Sequence, residues 1–549
     1  MRIIQTAKIL QFALLSVLIT APFGYARDQS LTEAIRHKVE LLREVKDLQI
    51  GDIHVSSVTL LPQIYEKRNF NPLWTQRSDI EALFAQAAEA HLDGLNPNDY
   101  HLTYLQFMQL EAEATDPSDF DLRADFDILL TESLIRLYYH LIFGKVDPVT
   151  MQPEWNMTRD IDHRDPAQVI SETIEAHLVG EKIENRKPDH VLYRSLKAKL
   201  AEYRRIAEKG GWKPIPATKA FKKDAMGPQV EALRARLTLS GDLTTAATLP
   251  DVFDQALEQA VKTFQKRHML HVDGIVGKNT LAAMNVPVEK RIDQIRVNLE
   301  RLRWVSHQIP ESFVVADLAG SEVYYIQRDE VAWQASAQVG GPCRELPCFR
   351  ADIRYMVINP TWTIPPKIVA EDILPAVKRD STYLKKRAIR VLNRHGDGID
   401  PKRIKWSGYP ERNFPYVLQQ DSGPDNVLGR LKFVFPNPYR ATIHDRPAKS
   451  LFKASESGFS SGCIGVERPF ELAQFLLGDP DKWGPETLQK AAASQKGQTV
   501  FLPTPIPVLL LYLTAHVNFD GTLIINMDVH NRDDSVLKAL ESTFAFQPD

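Results

Sequence analysis

The chain has 549 residues, of which 44% are hydrophobic and 25% charged, with a formal net charge of −3. That length holds three or four domains with full hydrophobic cores, and the composition is ordinary for a soluble globular protein. The near-neutral balance excludes a nucleic-acid binder that works through a bulk basic field.

The first residues read as a secretory signal. Arg2 and Lys8 precede an apolar run from Ile9 to Phe23, and Gly24-Tyr25-Ala26 offers small residues where a signal peptidase reads. Cleavage is expected after Ala26, giving a signal peptide over residues 1–26. The run is short and contains Pro22, which argues against an uncleaved anchor, and no cysteine follows to carry a lipid. The mature protein is therefore expected to be exported and soluble, with no transmembrane anchor. Residues 27–220 read as a helical scaffold domain. Ile128, Leu129, Leu130, Leu134, Ile135, Leu137 and Leu141 mark one apolar helix, ending at Gly144 with Pro148 beyond. Leu192, Leu196, Leu200 and Tyr203 mark another, ending near Gly210-Gly211. The carboxylates here are scattered, and Tyr65, Phe70 and Trp74 read as core.

Residues 226–286 form a compact unit. Val230, Leu233 and Leu237 have helical spacing, which Phe253, Leu257, Val261 and Phe264 repeat. The stretch Phe264-Gln265 followed by Val272-Asp273-Gly274-Ile275-Val276-Gly277-Lys278-Asn279-Thr280-Leu281 resembles the three-helix peptidoglycan-binding repeat domain. Domains of that kind bind cell-wall glycopeptide, and some copies serve only as spacers. Gly274 and Gly277 are expected to supply the positive φ of the turn. His268 and His271 read as solvated helix-end residues.

Ile292, Ile295, Leu299 and Leu302 mark a linker helix, and after Pro310 the texture changes to strands. Phe313–Leu318 and Glu322–Ile326 around Gly320 read as a β-hairpin. Further strands are expected at Tyr355–Ile358, Leu431–Phe435, Arg440–Ile443, Val500–Leu502, Val508–Leu513 and Leu523–Met527. Residues 311–503 thus read as a mostly β domain, and 504–549 as closing strands and a helix. Within it, 368–425 is a polar, charged and partly helical insertion, placed as a lid beside a site.

The cysteines point to that site. Cys463 lies in the small-residue turn Ser460-Ser461-Gly462-Cys463-Ile464, downstream of His444-Asp445. Cysteine chemistry needs a thiolate, a base to generate it and free backbone N–H groups to hold an oxyanion. The turn supplies the first and last, and His444 is a candidate base; the bland alternative is a small buried hydrophobe. Cys343 and Cys348 flank a turn-rich loop able to close a small disulfide, which would leave Cys463 as the single free thiol. A metal site on that pair lacks further ligands at suitable spacing.

An ordered series of segments carries a resemblance. It comprises Val339-Gly340 with Pro347, Asn359-Pro360-Thr361-Trp362-Thr363-Ile364-Pro365, Gly423-Pro424 with Leu428-Gly429, Lys432-Phe433, Phe435-Pro436-Asn437, His444-Asp445 and Ser460–Ile464. In order and spacing the chain resembles the L,D-transpeptidase family, in its large periplasmic type with scaffold, peptidoglycan-binding and catalytic domains. The resemblance implies a multidomain α+β fold: a helical scaffold, a small three-helix binding domain and a mostly β catalytic domain with a helical capping insertion. It implies Cys463 as nucleophile, His444 as base, and Gly462 and Cys463 N–H groups as the oxyanion hole, with Ser461 shaping the turn. Trp362, Asp445 and Thr442 are candidate substrate contacts. The substrates implied are peptidoglycan tetrapeptide stems, joined by 3→3 cross-links in the periplasm, with no metal or cofactor and with other cell-wall synthases as candidate partners. Peptidoglycan synthesis and cell shape are the processes this would serve.

Two departures stand out. Family members usually carry arginine two residues after the cysteine, where this chain has Gly465, and an aromatic two before the histidine, where it has Thr442. The loss of the arginine bears on substrate preference. Two readings therefore stay open beside the transpeptidase: an L,D-carboxypeptidase in which water takes the acyl group, and a wall-binding scaffold with a weakened site. A papain-like protease is excluded by order, since there the cysteine precedes the histidine.

Overall fold

The computed structural model describes residues 30–159, 163–216, 219–246, 248–307, 309–339, 346–409, 414–446, 463–544 and 546. The signal-peptide reading lies outside them. The architecture is multidomain α+β, with a helical N-terminal region and a β-rich region that follows it.

The scaffold is built on the helix Phe120–Phe143, buried along most of its length from Asp127 and closed by Gly144 at φ +85. Two of its carboxylates, unremarkable in the sequence, are buried clasps. Asp127 accepts from the Leu73 and Trp74 amides and from the Tyr65 hydroxyl at 2.7 Å. Glu132 accepts from the Ser56 and Ser57 amides and from Arg136. A buried carboxylate is tolerated only when its lone pairs are taken in this way. A hairpin of β1 (Gln49–Ile50) and β2 (Ile53–His54) adds Ile50 to the core of this domain.

In the compact unit that follows, three helices, Pro228–Leu239, Gln255–Arg267 and Lys278–Met284, enclose Leu233, Leu237, Phe253, Val261 and Phe264. Gln265 is 1% exposed. Its amide nitrogen donates to Asp273 Oδ1, the Ile275 carbonyl and Thr280 Oγ1, and its oxygen accepts from the Asp273 and Gly274 amides. The Phe-Gln pair is thus a clasp for the turn. Gly274 has φ +75 as expected, but Gly277 does not; it caps the last helix at φ −87. His268 also departs from expectation: it is buried and stacked on Phe264 at 3.9 Å, because the helix end folds back over the core.

The linker helix runs from Val288 to Ser306 and is buried on most sides rather than along one stripe. Fully buried Glu300 and Arg303 meet at 2.6 Å, Glu300 also holds the Val146 amide, and Arg303 reaches the Asp93 carbonyl and Tyr193 hydroxyl. The helix therefore packs scaffold against barrel, in one core containing Leu196, Leu299, Leu302, Phe313 and Leu511.

The β-rich region is a closed eight-stranded barrel. Its strands are β3 (Ser312–Asp317), β4 (Glu322–Gln327), β5 (Glu330–Val339), β6 (Phe349–Ile358), β11 (Leu431–Val434), β12 (Thr442–Asp445), β13 (Cys463–Val466) and β14 (Gln498–Leu511). The order around the barrel is β11-β12-β13-β5-β4-β3-β14-β6. The two runs expected near 500 and 508 are one 14-residue strand whose register shifts between Phe501 and Ile506. Pro503 and Pro505 lie there, and proline cannot donate to a ladder.

Between β6 and β11 lies the insertion. It contains more strand than its polar sequence suggests: β7 (Trp362–Thr363), β8 (Ile389–Leu392), β9 (Gly398–Ile399) and β10 (Val417–Gln420) form a sheet in the order β7-β10-β8-β9. Its own core gathers Trp362, Ile368, Leu374, Val391 and Leu418. A last hairpin, β15 (Ala515–Val517) and β16 (Leu523–Ile525), and the helix Asp533–Glu541 close the chain against the linker helix.

Candidate active site

β12 and β13 run side by side and parallel, with Thr442 beside Cys463 and His444 beside Gly465. Side chains alternate along a strand. Ile443, Ile464 and Val466 point into the barrel core, so Thr442, His444, Cys463 and Gly465 share the outer face. Antiparallel β11 sets Lys432 opposite His444, and β5 sets Gln338 opposite Gly465. A row of Lys432, His444, Gly465 and Gln338 thus crosses four strands, with Cys463 one step along it. Cys463 is half-buried against the core of the insertion, which caps this face.

His444 is 5% exposed. Its Nδ1 lies 2.7 Å from the Asp445 carbonyl. Only a protonated Nδ1 can donate there, which leaves the lone pair on Nε2, and Nε2 is buried with no hydrogen bond. Burial pushes the His444 pKa down to about 4; the Asp445 carbonyl opposes this, the Lys432 charge adds to it, and the Leu428 carbonyl again opposes it. The ring is neutral at physiological pH and holds an unused base inside the site.

The remaining candidates fall differently. The Asp445 side chain turns away from the ring and accepts from the Arg430 amide at 2.9 Å, and burial raises its pKa. Gly429 at φ +64 makes this fit, since a Cβ there would lie 2.5 Å from Asp445 Cβ. Thr442 is buried and donates to the Phe433 carbonyl at 2.8 Å, so its hydroxyl serves the sheet. Trp362 is buried in the cap core. Ser461 and Gly462 lie outside the described residues, as does Cys343 of the expected disulfide. Cys348 is buried, with its sulfur 3.5 Å from Arg532 Nη1. Lys432, quoted in the sequence only as part of a segment, is brought to the site by register; its alternation with Leu431 and Phe433 was the available signal. A cavity of about 720 Å³ opens elsewhere, between the scaffold helices and the C-terminal residues, and takes in none of this row.

Residues 59–200 match the scaffold domain, residues 226–284 the "Putative peptidoglycan binding domain" and residues 311–505 the L,D-transpeptidase catalytic domain. The chain thus carries an L,D-transpeptidase catalytic domain over residues 311–505. A "Putative L,D-transpeptidase" of Haemophilus influenzae is 28% identical over 253 residues, or 46% of this chain and 50% of the relative. The chain therefore matches half the length of that relative. Two solved structures align to 54% of this chain at a TM-score of 0.15. One is an L,D-transpeptidase of Xylanimonas cellulosilytica, 18% identical over 99% of its own length. The other is a fused Zn-dependent amidase/peptidase/peptidoglycan-binding protein of Clostridium acetobutylicum, 12% identical over its full length. Among the described residues no helix is long and apolar enough to cross a membrane.

Proposed function

We propose that this L,D-transpeptidase domain forms 3→3 cross-links through a Cys463 thioester. The observation that carries the reading is the buried, unpaired Nε2 of a neutral His444 on the face that holds Cys463, under the cap. Cys463 gives its proton to Nε2, and the sulfur adds to the carbonyl at the L-centre of a diaminopimelate residue in a donor tetrapeptide. The tetrahedral intermediate collapses with cleavage of the C–N bond, and the D-Ala amine leaves with the proton returned by His444. The side-chain amine of a second stem then attacks the thioester, which forms the new amide and frees the thiol. Backbone N–H groups of Gly462 and Cys463 hold the oxyanion in this scheme. Export to the periplasm and attachment to the wall through residues 226–286 complete the proposal.

The test is intact mass of the exported form with disaccharide-tetrapeptide, and separately with a carbapenem, for wild type and Cys463→Ala. The expected result is a covalent adduct on wild type alone, with a dimer bridged through two diaminopimelates. An adduct with release of tripeptide only would make water the acceptor and the protein an L,D-carboxypeptidase. No adduct with either compound would overturn the catalytic reading and leave a wall-binding scaffold.

A further inference from the structure

His444 alone is a poor base for Cys463. Burial holds its pKa near 4, whereas an ordinary thiol titrates near 8.5. Moving the thiol proton to Nε2 is then unfavourable by a factor of more than ~10,000 unless the thiolate is stabilised. Gly465, on one flank of His444, brings no charge. Lys432 stands on the other flank, directly across the register and two strands from Cys463 on the same outer face.

Lys432 also has no counter-ion among the described residues. Its side chain is half-buried, and among the described residues no carboxylate pairs with it. Burial lowers its pKa, and the charge that opposes this is that of Cys463. Among the described residues the neighbouring groups are otherwise neutral or engaged. Val357 faces Lys432 from β6, Asp445 is taken by the Arg430 amide, and Arg446 pairs with Glu467 at 3.2 Å. A half-buried ammonium without a partner is unfavourable, and an anion placed beside it relieves that cost.

We propose that the Lys432 ammonium is the counter-ion of the Cys463 thiolate. Its charge favours the sulfur anion, although it also lowers the proton affinity of His444: as the thiol proton moves to Nε2 the S–H bond breaks, the N–H bond forms, and the negative charge stays on sulfur beside Lys432. The imidazolium then carries that proton to the leaving amine. Lys432 acts through the sulfur and is a positioning residue in this scheme, which rests on Cys463 as the nucleophile.

The experiment measures alkylation of Cys463 by iodoacetamide in the full-length protein between pH 5 and 10, with the modified peptide quantified by mass spectrometry. Wild type is compared with Lys432→Gln and Lys432→Arg, and thermal melting checks that each variant folds. A unit charge in a partly solvated site changes thiolate stability by about tenfold. The glutamine variant is therefore expected to react about tenfold more slowly at pH 7, with its midpoint moved up by about one pH unit and its plateau at high pH unchanged. The arginine variant is expected to stay within about twofold of wild type. Identical profiles for wild type and Lys432→Gln would overturn the proposal. So would a folded arginine variant that behaves like glutamine. The readout requires no turnover, so it stands apart from failure of the transpeptidase reading.

Discussion

The depressed pKa of His444 is open to direct measurement. The imidazole is almost fully buried, with Nδ1 committed to the Asp445 carbonyl and Nε2 buried without a hydrogen bond, so a second proton would be a buried charge with no partner. With a folded pKa of about 4 against about 6.5 unfolded, the unfolded chain binds more protons across that interval. The sign follows: the neutral ring supports the fold fully above about 6.5, and that support is lost as pH falls toward 4. Between pH 7 and pH 4.5 the loss from this group is roughly 2–3 kcal/mol. His444→Gln, which does not titrate, should be spared it. Urea unfolding of the catalytic region at the two pH values should show wild type losing roughly that much more than the variant. The titration itself is readable from exchange of the imidazole C2 proton, followed by mass spectrometry of the peptide bearing His444. A midpoint near 6.5, with equal acid sensitivity of wild type and His444→Gln, would refute the account of a neutral base held by burial.

Gly429→Ala forces a left-handed residue against the Asp445 side chain and should destabilise the barrel by about 2–3 kcal/mol, seen as a lowered melting temperature. Gly465→Ala is the control on the same face, since its Cβ meets His444 Cε1 at an ordinary 3.7 Å; its melting temperature should match wild type. Gln265→Ala removes every hydrogen bond of the clasp and should cost the 226–284 domain about 2–4 kcal/mol, measured by protease sensitivity of that segment. Glu300→Ala leaves fully buried Arg303 without its carboxylate and should cost about 3–5 kcal/mol, read as increased hydrogen exchange where scaffold and linker helix meet.

Much of this protein could be read along the chain. Local patterning marked the scaffold helix Phe120–Phe143, since an apolar run ending at glycine with proline beyond has few other structures to form. It also marked the strand Leu431–Val434. The pair Cys463 and His444 was legible because few residue types generate and hold a thiolate, and because the flanking segments come in a fixed order. Other features depended on contacts between distant residues. The linker helix looked amphipathic, yet scaffold and barrel bury it on most sides. His268 looked solvated, yet its helix end folds over Phe264. The polar insertion formed a sheet because its strands find partners within the cap, and strand pairing is a non-local choice. Lys432 is the clearest case. Its place beside His444 follows from cross-strand register, and among the described residues no carboxylate pairs with its charge. Composition names the groups able to do chemistry; dielectric and register, which arise only when remote segments pack, set the proton affinity of each.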